Sequence, residues 1–231
     1  HEQLKELMST LVELQESGDS MQKPAAKQLI EIVHQALVLS IRYDAVIANP
    51  PYMGNKSMNS QLKKLAKDDY ANSKADLYAI FMERGFSLLN ERGFNAQINM
   101  HSWMFITSFE ELRRQILQYK RIVTMAHLGA RAFSQIGGEV VQTTAWIINN
   151  TYINSYKPVF YRLVDGDENE KKISLLNRNN EHSTIEQENL TKLPGSPVAY
   201  WASLDFIKLM ENADLLDARA VKGLDTNGNI D

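Results

Sequence analysis

A chain of 231 residues with 44% hydrophobic content can bury one good core and a small second one. Its formal charge of -3 and pI near 6.0 give no global attraction to nucleic acid, so contact with DNA would need local basic clusters or parts of a longer protein. Without cysteine there are no disulfides or thiolate metal sites, no apolar run approaches the ~20 residues of a membrane helix, and no signal-peptide pattern follows His1; a cytoplasmic protein without a metal centre is expected.

Leu4, Leu7, Met8, Leu11 and Leu14 recur at helical spacing, which predicts a helix over 2–16 ending at Ser17-Gly18-Asp19-Ser20. Pro24 suits the first turn of a second helix whose apolar face carries Ile30, Val33, Leu37 and Ile41. Residues 1–42 thus read as an antiparallel helical hairpin, serving as scaffold, partner surface or DNA-facing insert. His34 has no second ligand at metal spacing.

Asp44-Ala45-Val46-Ile47-Ala48 reads as a buried parallel strand that stops at Asn49-Pro50-Pro51-Tyr52. The loop then lies at the carboxyl end of a strand, where open α/β sheets bind ligands. Successive prolines fix φ at two positions and keep Asn49 out of the α region, so the polar groups are set before a ligand arrives. The Asn49 side-chain oxygen and the Pro50 carbonyl accept hydrogen bonds, and a planar amino group has two N–H donors to give. Acceptors placed off the ring plane localise the amino lone pair, while Tyr52 offers a face for a base taken out of its stack. The constellation suits an amino nitrogen acting as nucleophile.

Lys56, Lys63 and Lys64 follow, with Lys67 and Tyr70 nearby; they form either a phosphate-holding loop or a solvated helix face diluted by Asp68 and Asp69. Leu77, Ile80, Phe81, Phe86, Leu88 and Leu89 predict a helix from Ser73 to Glu91, ended by Gly93. Phe94 to Met100 reads as a strand, and a right-handed crossover would make it the parallel neighbour of 44–48. Ser108 is the expected cap of a helix through Leu112, Ile116 and Tyr119, with Glu111 three residues on. Ile122 to Leu128 is a third strand, Gly129 to Glu139 a loop bearing Arg131, Phe133 and Gly137-Gly138, and Val140 to Ile148 a further strand. A large apolar residue among polar loop neighbours must bury or bind something, and for Phe133 both remain open. Val159 to Val164 suggests another strand, residues 165–192 a polar excursion, and Phe206, Leu209, Met210 and Leu216 a helix.

Asn-Pro-Pro-Tyr after a strand resembles the catalytic motif of S-adenosylmethionine-dependent amino-methyltransferases, chiefly the gamma-type adenine-N6 DNA enzymes; by composition alone the tetrapeptide arises on the order of once in a thousand chains of this length. Asp76-Leu77-Tyr78-Ala79-Ile80-Phe81 looks like the family's helix after the catalytic loop, and the segment 129–141 like the loop presenting an aromatic to the flipped base. Met100 to Phe105, His127 to Phe133 and Gly137 to Thr144 narrow the likeness to the adenine methyltransferases of BREX phage-exclusion systems, over about residues 43–165, with weaker likeness at 193–201 and 223–229.

The resemblance implies an α/β fold: the half of a doubly wound, Rossmann-like methyltransferase sheet that carries the catalytic motif. The hairpin of 1–42 precedes this half (43–165), a linker or surface excursion follows (166–197), and 198–231 begin a target-recognition region. It implies catalysis by Asn49, Pro50, Pro51 and Tyr52, stacking of the base on Tyr52 and Phe133, and cofactor contacts from Phe81, Asn49 and Pro51. Lys56, Lys63, Lys64 and Arg131 are candidate phosphate contacts; double-stranded DNA and other phage-defence proteins are the expected partners. Methyltransferases acting on protein glutamine or ribosomal RNA guanine share the tetrapeptide, and a DNA-holding or defence-complex module without turnover is the third reading.

One departure is expected to matter. The family's glycine-rich cofactor turn should precede the catalytic strand, and Gly18 is no substitute. With both ends looking cut, the chain reads as a piece of a larger protein, and the piece alone is expected to bind S-adenosylmethionine weakly or not at all and to self-associate through an exposed sheet edge.

Overall fold

The computed structural model describes residues 1–133 and 141–211. Gly137-Gly138, Glu139, Val140, Leu216 and the 223–229 likeness lie outside the described residues, as does the recognition region beyond 211. The fold is α/β, with a six-stranded mixed sheet.

Helices α1 (Glu2–Ser17) and α2 (Gln22–Ser40) form the expected hairpin. Leu11, Ala26 and Val33 meet between them, flanked by Leu4, Met8, Leu14 and Ile30. Asp19 Oδ1 closes the corner by accepting from the amides of Met21 (2.9 Å) and Gln22 (2.8 Å).

Strand β1 (Tyr43–Ala48) leads through α3 (Ser60–Asp69) and α4 (Leu77–Ser87) to β2 (Leu89–Met100), which pairs with β1 in parallel as expected. Then come α5 (Glu110–Tyr119), β3 (Arg121–Gly129), β4 (Thr143–Asn149), β5 (Val159–Arg162), α6 (Glu168–Leu176), β6 (Glu181–His182) and α7 (Leu204–Glu211). The strand order is β1-β2-β4-β3-β5-β6, so β1 is an edge strand. It was expected to be buried, but Ile47 is 81% exposed, because nothing among the described residues covers β1's outer edge or that face.

Several boundaries differ for local reasons. Helix α4 stops at Ser87, not near Gly93: Leu88 closes it, and Leu89 to Gly93 already belong to β2. Ser108 caps nothing; it lies in a 3-10 turn (Thr107–Phe109) that leads into α5 without a side-chain cap. Of the two readings of the lysines, loop or solvated helix face, Lys63, Lys64 and Lys67 take the helix, on α3, and Lys56 lies in another such turn (Asn55–Ser57).

One face of the sheet is packed and the other open. Alternation along β2 points Asn95, Gln97 and Asn99 into the packed face, all almost fully buried. Asn95 Nδ2 donates to the Met82 carbonyl (3.1 Å) and Gln97 Nε2 to that of Phe81 (3.0 Å), while Asn99 Oδ1 accepts from Trp146 Nε1 (3.1 Å). The bonds from Asn95 and Gln97 seat α4 on the sheet, while Gln97 Oε1 and Asn99 Nδ2 have no hydrogen-bond partner among the described residues. Around them Trp103, Met104, Leu112, Ile116, Met125 and Ile148 form the core. Ile185, Leu190 and Leu193, from the stretch read as linker or surface excursion, join the same cluster, as do Val198, Tyr200 and Ile207 beyond it. Arg113, 1% exposed, ties that stretch down by donating to the carbonyls of Trp103 (2.9 Å), Ile106 (2.6 Å), Gly195 (2.7 Å) and Ser196 (3.2 Å).

On the open face a concavity of about 670 Å³ runs over Ile47, Ala96, Ile98, Ala126, Ala145 and Ile147.

Candidate active site

The parallel pairing of β1 ends at Ala48, opposite Gln97, and the chain leaves the sheet at Asn49. Pro50 is buried, whereas Asn49 and Pro51 are exposed and Tyr52 is 36% exposed. These residues line one side of an open pocket of about 380 Å³, inside the range of small-ligand sites. Phe133, 37% exposed, and Ile98 and Thr143 line the rest. The diproline corner is therefore accessible.

Phe133 reaches the pocket across the end of β3. Gly129 turns with φ 62°, and a Cβ there would come within 3.0 Å of Val164 Cα; Arg131 follows with φ 59°. Thr143, first residue of the antiparallel β4, sits between Met100 of β2 and Gly129 of β3, at the same end of the sheet as the corner. Its side chain is 1% exposed and its hydroxyl has no hydrogen-bond partner among the described residues. Thr143 stood only inside a matched motif; a single β-branched residue at a strand start carries no signal of its own.

The corner is held from outside. Asp76 caps α4 and accepts at Oδ1 from Tyr78 N–H (3.2 Å) and Met53 N–H (3.0 Å). Leu77 N–H donates to the Met53 carbonyl (3.0 Å) and Asn55 N–H to that of Ala75 (2.9 Å). The Tyr78 ring meets Tyr52 edge-on at 5.9 Å. Burial pushes the Tyr52 phenol above its ordinary value, so at neutral pH it is an uncharged aromatic face.

Of the remaining candidates, Phe81 is 41% exposed on α4 and does not line the pocket. Asn49 lies at the junction of the pocket with the open face. Lys56, Lys63, Lys64 and Arg131 are outside the pocket lining. Lys64 pairs with Asp68, and Lys63 Nζ reaches the Lys56 carbonyl at 3.4 Å. Among the described residues no three His, Cys, Asp or Glu side chains gather as metal ligands.

The corner thus sets two potential acceptors at the carboxyl end of a parallel strand, beside an aromatic face. The family model described as Eco57I restriction-modification methylase matches residues 2–133, more than half of the chain, and the chain belongs to that family. It is 57% identical over 228 residues to the adenine-specific methyltransferase BrxX of Escherichia coli O9:H4 (strain HS), covering 99% of this chain and 19% of that one. It is 39% identical over 214 residues to the adenine-specific methyltransferase PglX of Lacticaseibacillus casei (strain Zhang), covering 87% and 18%. The chain thus spans about a fifth of the length of these relatives. Among solved structures, a nuclease-deletion mutant of the type ISP restriction-modification enzyme LlaGI with a DNA substrate mimic aligns at TM-score 0.49 and 15% identity, over 70% of this chain and 19% of that one. The type I restriction-modification methyltransferase subunit from Streptococcus thermophilus aligns at 0.47 and 18%, over 66% and 36%.

Proposed function

We propose that the protein containing this chain methylates adenine N6 in double-stranded DNA, and that this chain supplies the side of the site that receives the base. One observation carries the reading: Asn49, Pro50, Pro51, Tyr52 and Phe133 line a single open pocket at the end of a parallel strand. The adenine leaves the duplex at a cost of a few kcal/mol and lies against Tyr52 and Phe133. Its amino group donates to the Asn49 side-chain oxygen and the Pro50 carbonyl, which draw the lone pair out of conjugation. Among the described residues no hydrogen bond competes for the Asn49 side chain. Positioning supplies most of the rate.

S-adenosylmethionine, when bound, supplies the electrophilic methyl group. One side of a site for it fits the residues present: Asn49 adjoins both the pocket and the open face, and Phe81 offers a half-exposed aromatic ring on α4. Asn49, Pro51 and Phe81 would hold it. Lys56, Lys63, Lys64 and Arg131 contact phosphates flanking the extruded base. The likeness to the adenine-specific methyltransferases BrxX and PglX supports the choice of base; a role in phage exclusion, a cytoplasmic location and other defence proteins as partners belong to the same proposal.

Methylation-sensitive sequencing of host DNA with and without the gene tests this. N6-methyladenine should appear at one recognition sequence only when the gene is present. An unchanged adenine methylome would contradict the proposal and turn attention to protein glutamine, ribosomal RNA or a role without turnover.

A further inference from the structure

The two prolines stiffen the corner only up to Pro51, so the orientation of Tyr52 must be set by something else. That something comes from the start of α4. A helix cap needs one hydrogen bond, here from Tyr78 N–H to Asp76 Oδ1. The same oxygen accepts a second, from the amide of Met53, the residue directly after Tyr52. With the Leu77-to-Met53 and Asn55-to-Ala75 bonds and a bridge between Gly54 and Asp76, residues 53–55 and 75–77 form a short strap under the corner.

Tyr78 acts on the ring itself. It is 1% exposed and meets the Tyr52 ring in a T-shaped contact at 5.9 Å and 81°. Phe109 packs against it at 5.7 Å, and its hydroxyl bonds Ser102 Oγ at 2.7 Å, so Tyr78 is fixed on three sides. Edge-to-face contacts are directional, because the positive ring edge seeks the negative face. Neither Asp76 nor Tyr78 lines the pocket.

We propose that Asp76 and Tyr78 are positioning residues: the strap sets the backbone after Tyr52, the T-shaped contact with Tyr78 sets the plane of the Tyr52 ring, and together they fix the height of a stacked base over the Asn49–Pro50 acceptors. This rests on the adenine-methylation reading. A base tilted by about 1 Å at its amino group would lose up to roughly a hundredfold in rate with little change in binding.

The test uses the full-length parent protein and a duplex with 2-aminopurine, or adenine, at the methylated position. In the wild type the extruded 2-aminopurine, stacked on Tyr52, should be quenched. Y78L should raise that emission several-fold and lower kcat about thirtyfold, leaving the DNA Kd and the S-adenosylmethionine KM unchanged. D76A should lower kcat similarly, whereas Y78F, which keeps the ring edge, should stay within about threefold of wild type. Three results would overturn the inference: unchanged kcat in Y78L, equal losses in Y78L and Y78F, or a kcat loss matched by lost DNA binding. Failure of the underlying reading looks different, because the wild type itself would then transfer no methyl group to the adenine duplex.

Discussion

Tyr52 is partly open to solvent and uncharged, and its ring rather than its hydroxyl has the part to play. Stacking of a base on an aromatic ring is worth ~1–3 kcal/mol, so Tyr52→Ala in the parent protein should lower kcat/KM for DNA by roughly ten- to a hundredfold, while Tyr52→Phe stays close to wild type. Steady-state methyl transfer to a cognate duplex measures both; a Phe variant as impaired as the Ala variant would contradict a stacking role. Phe133 was legible as an unexplained apolar residue in a polar loop, and it lies across the same pocket as Tyr52. Asp76 was legible only as part of a motif: a cap can be read from adjacent residues, but its bond to Met53 joins positions 23 apart and arises from tertiary folding.

At the scale of elements, the strap and the Arg113 clamp hold the carboxyl ends of the strands in place. Arg113 satisfies four carbonyls of buried or partly buried backbone. Arg113→Leu would leave them without donors and should cost on the order of 3 kcal/mol, seen as a lower midpoint in urea at unchanged slope; an unchanged midpoint would show that water replaces the guanidinium.

His127 provides a second link. Its Nε2 lies 2.8 Å from His101 Nδ1 and its Nδ1 lies 3.1 Å from the Tyr200 hydroxyl, so β3, the end of β2 and the 198–201 segment share one hydrogen-bonded chain. Burial first, then the positive neighbours His101, Arg162 and Lys171, lowers the His127 pKa from 6.5 to about 4. Between those values the folded state binds fewer protons than the unfolded chain, so stability is full above pH 6.5 and falls as the pH drops toward 4. The loss attributable to His127 should approach about 3 kcal/mol at the acid end. Melting curves from pH 7 to 4.5 should show it, and His127→Gln should flatten the dependence; equal slopes in both proteins would rule His127 out.

Most of the helices and strands were legible because apolar spacing of 3.6 or alternation reports which face is buried, whereas α6 lay inside the stretch read as a polar excursion. Along β2 alternation is no guide to the packed face, because Asn95, Gln97 and Asn99 turn inward and Ala96 and Ile98 line the open face. Asn95 and Gln97 look like surface residues until the Met82 and Phe81 carbonyls that accept from them are in place. Burial of β1 failed for the related reason that a strand's cover comes from other elements.

For the whole molecule, an exposed edge at β1 and an open apolar face are the dominant surface features. We expect the 231-residue chain alone to bind S-adenosylmethionine too weakly for calorimetry to register micromolar affinity, since the described residues fit one side of a cofactor site. The same surface should drive self-association: sedimentation should show species larger than a monomer, and Ile47→Lys should shift them toward monomer. A monomer at all concentrations would count against that use of the edge.

The central claim is that the Asn49–Pro50 corner receives an amino group of a flipped adenine. The parent protein carrying Asn49→Ala tests it most directly when methyl transfer and DNA binding are measured on the same duplex. Loss of methylation by about a hundredfold or more, with the DNA Kd within about twofold, is the predicted result. Methylation at the wild-type rate would contradict it.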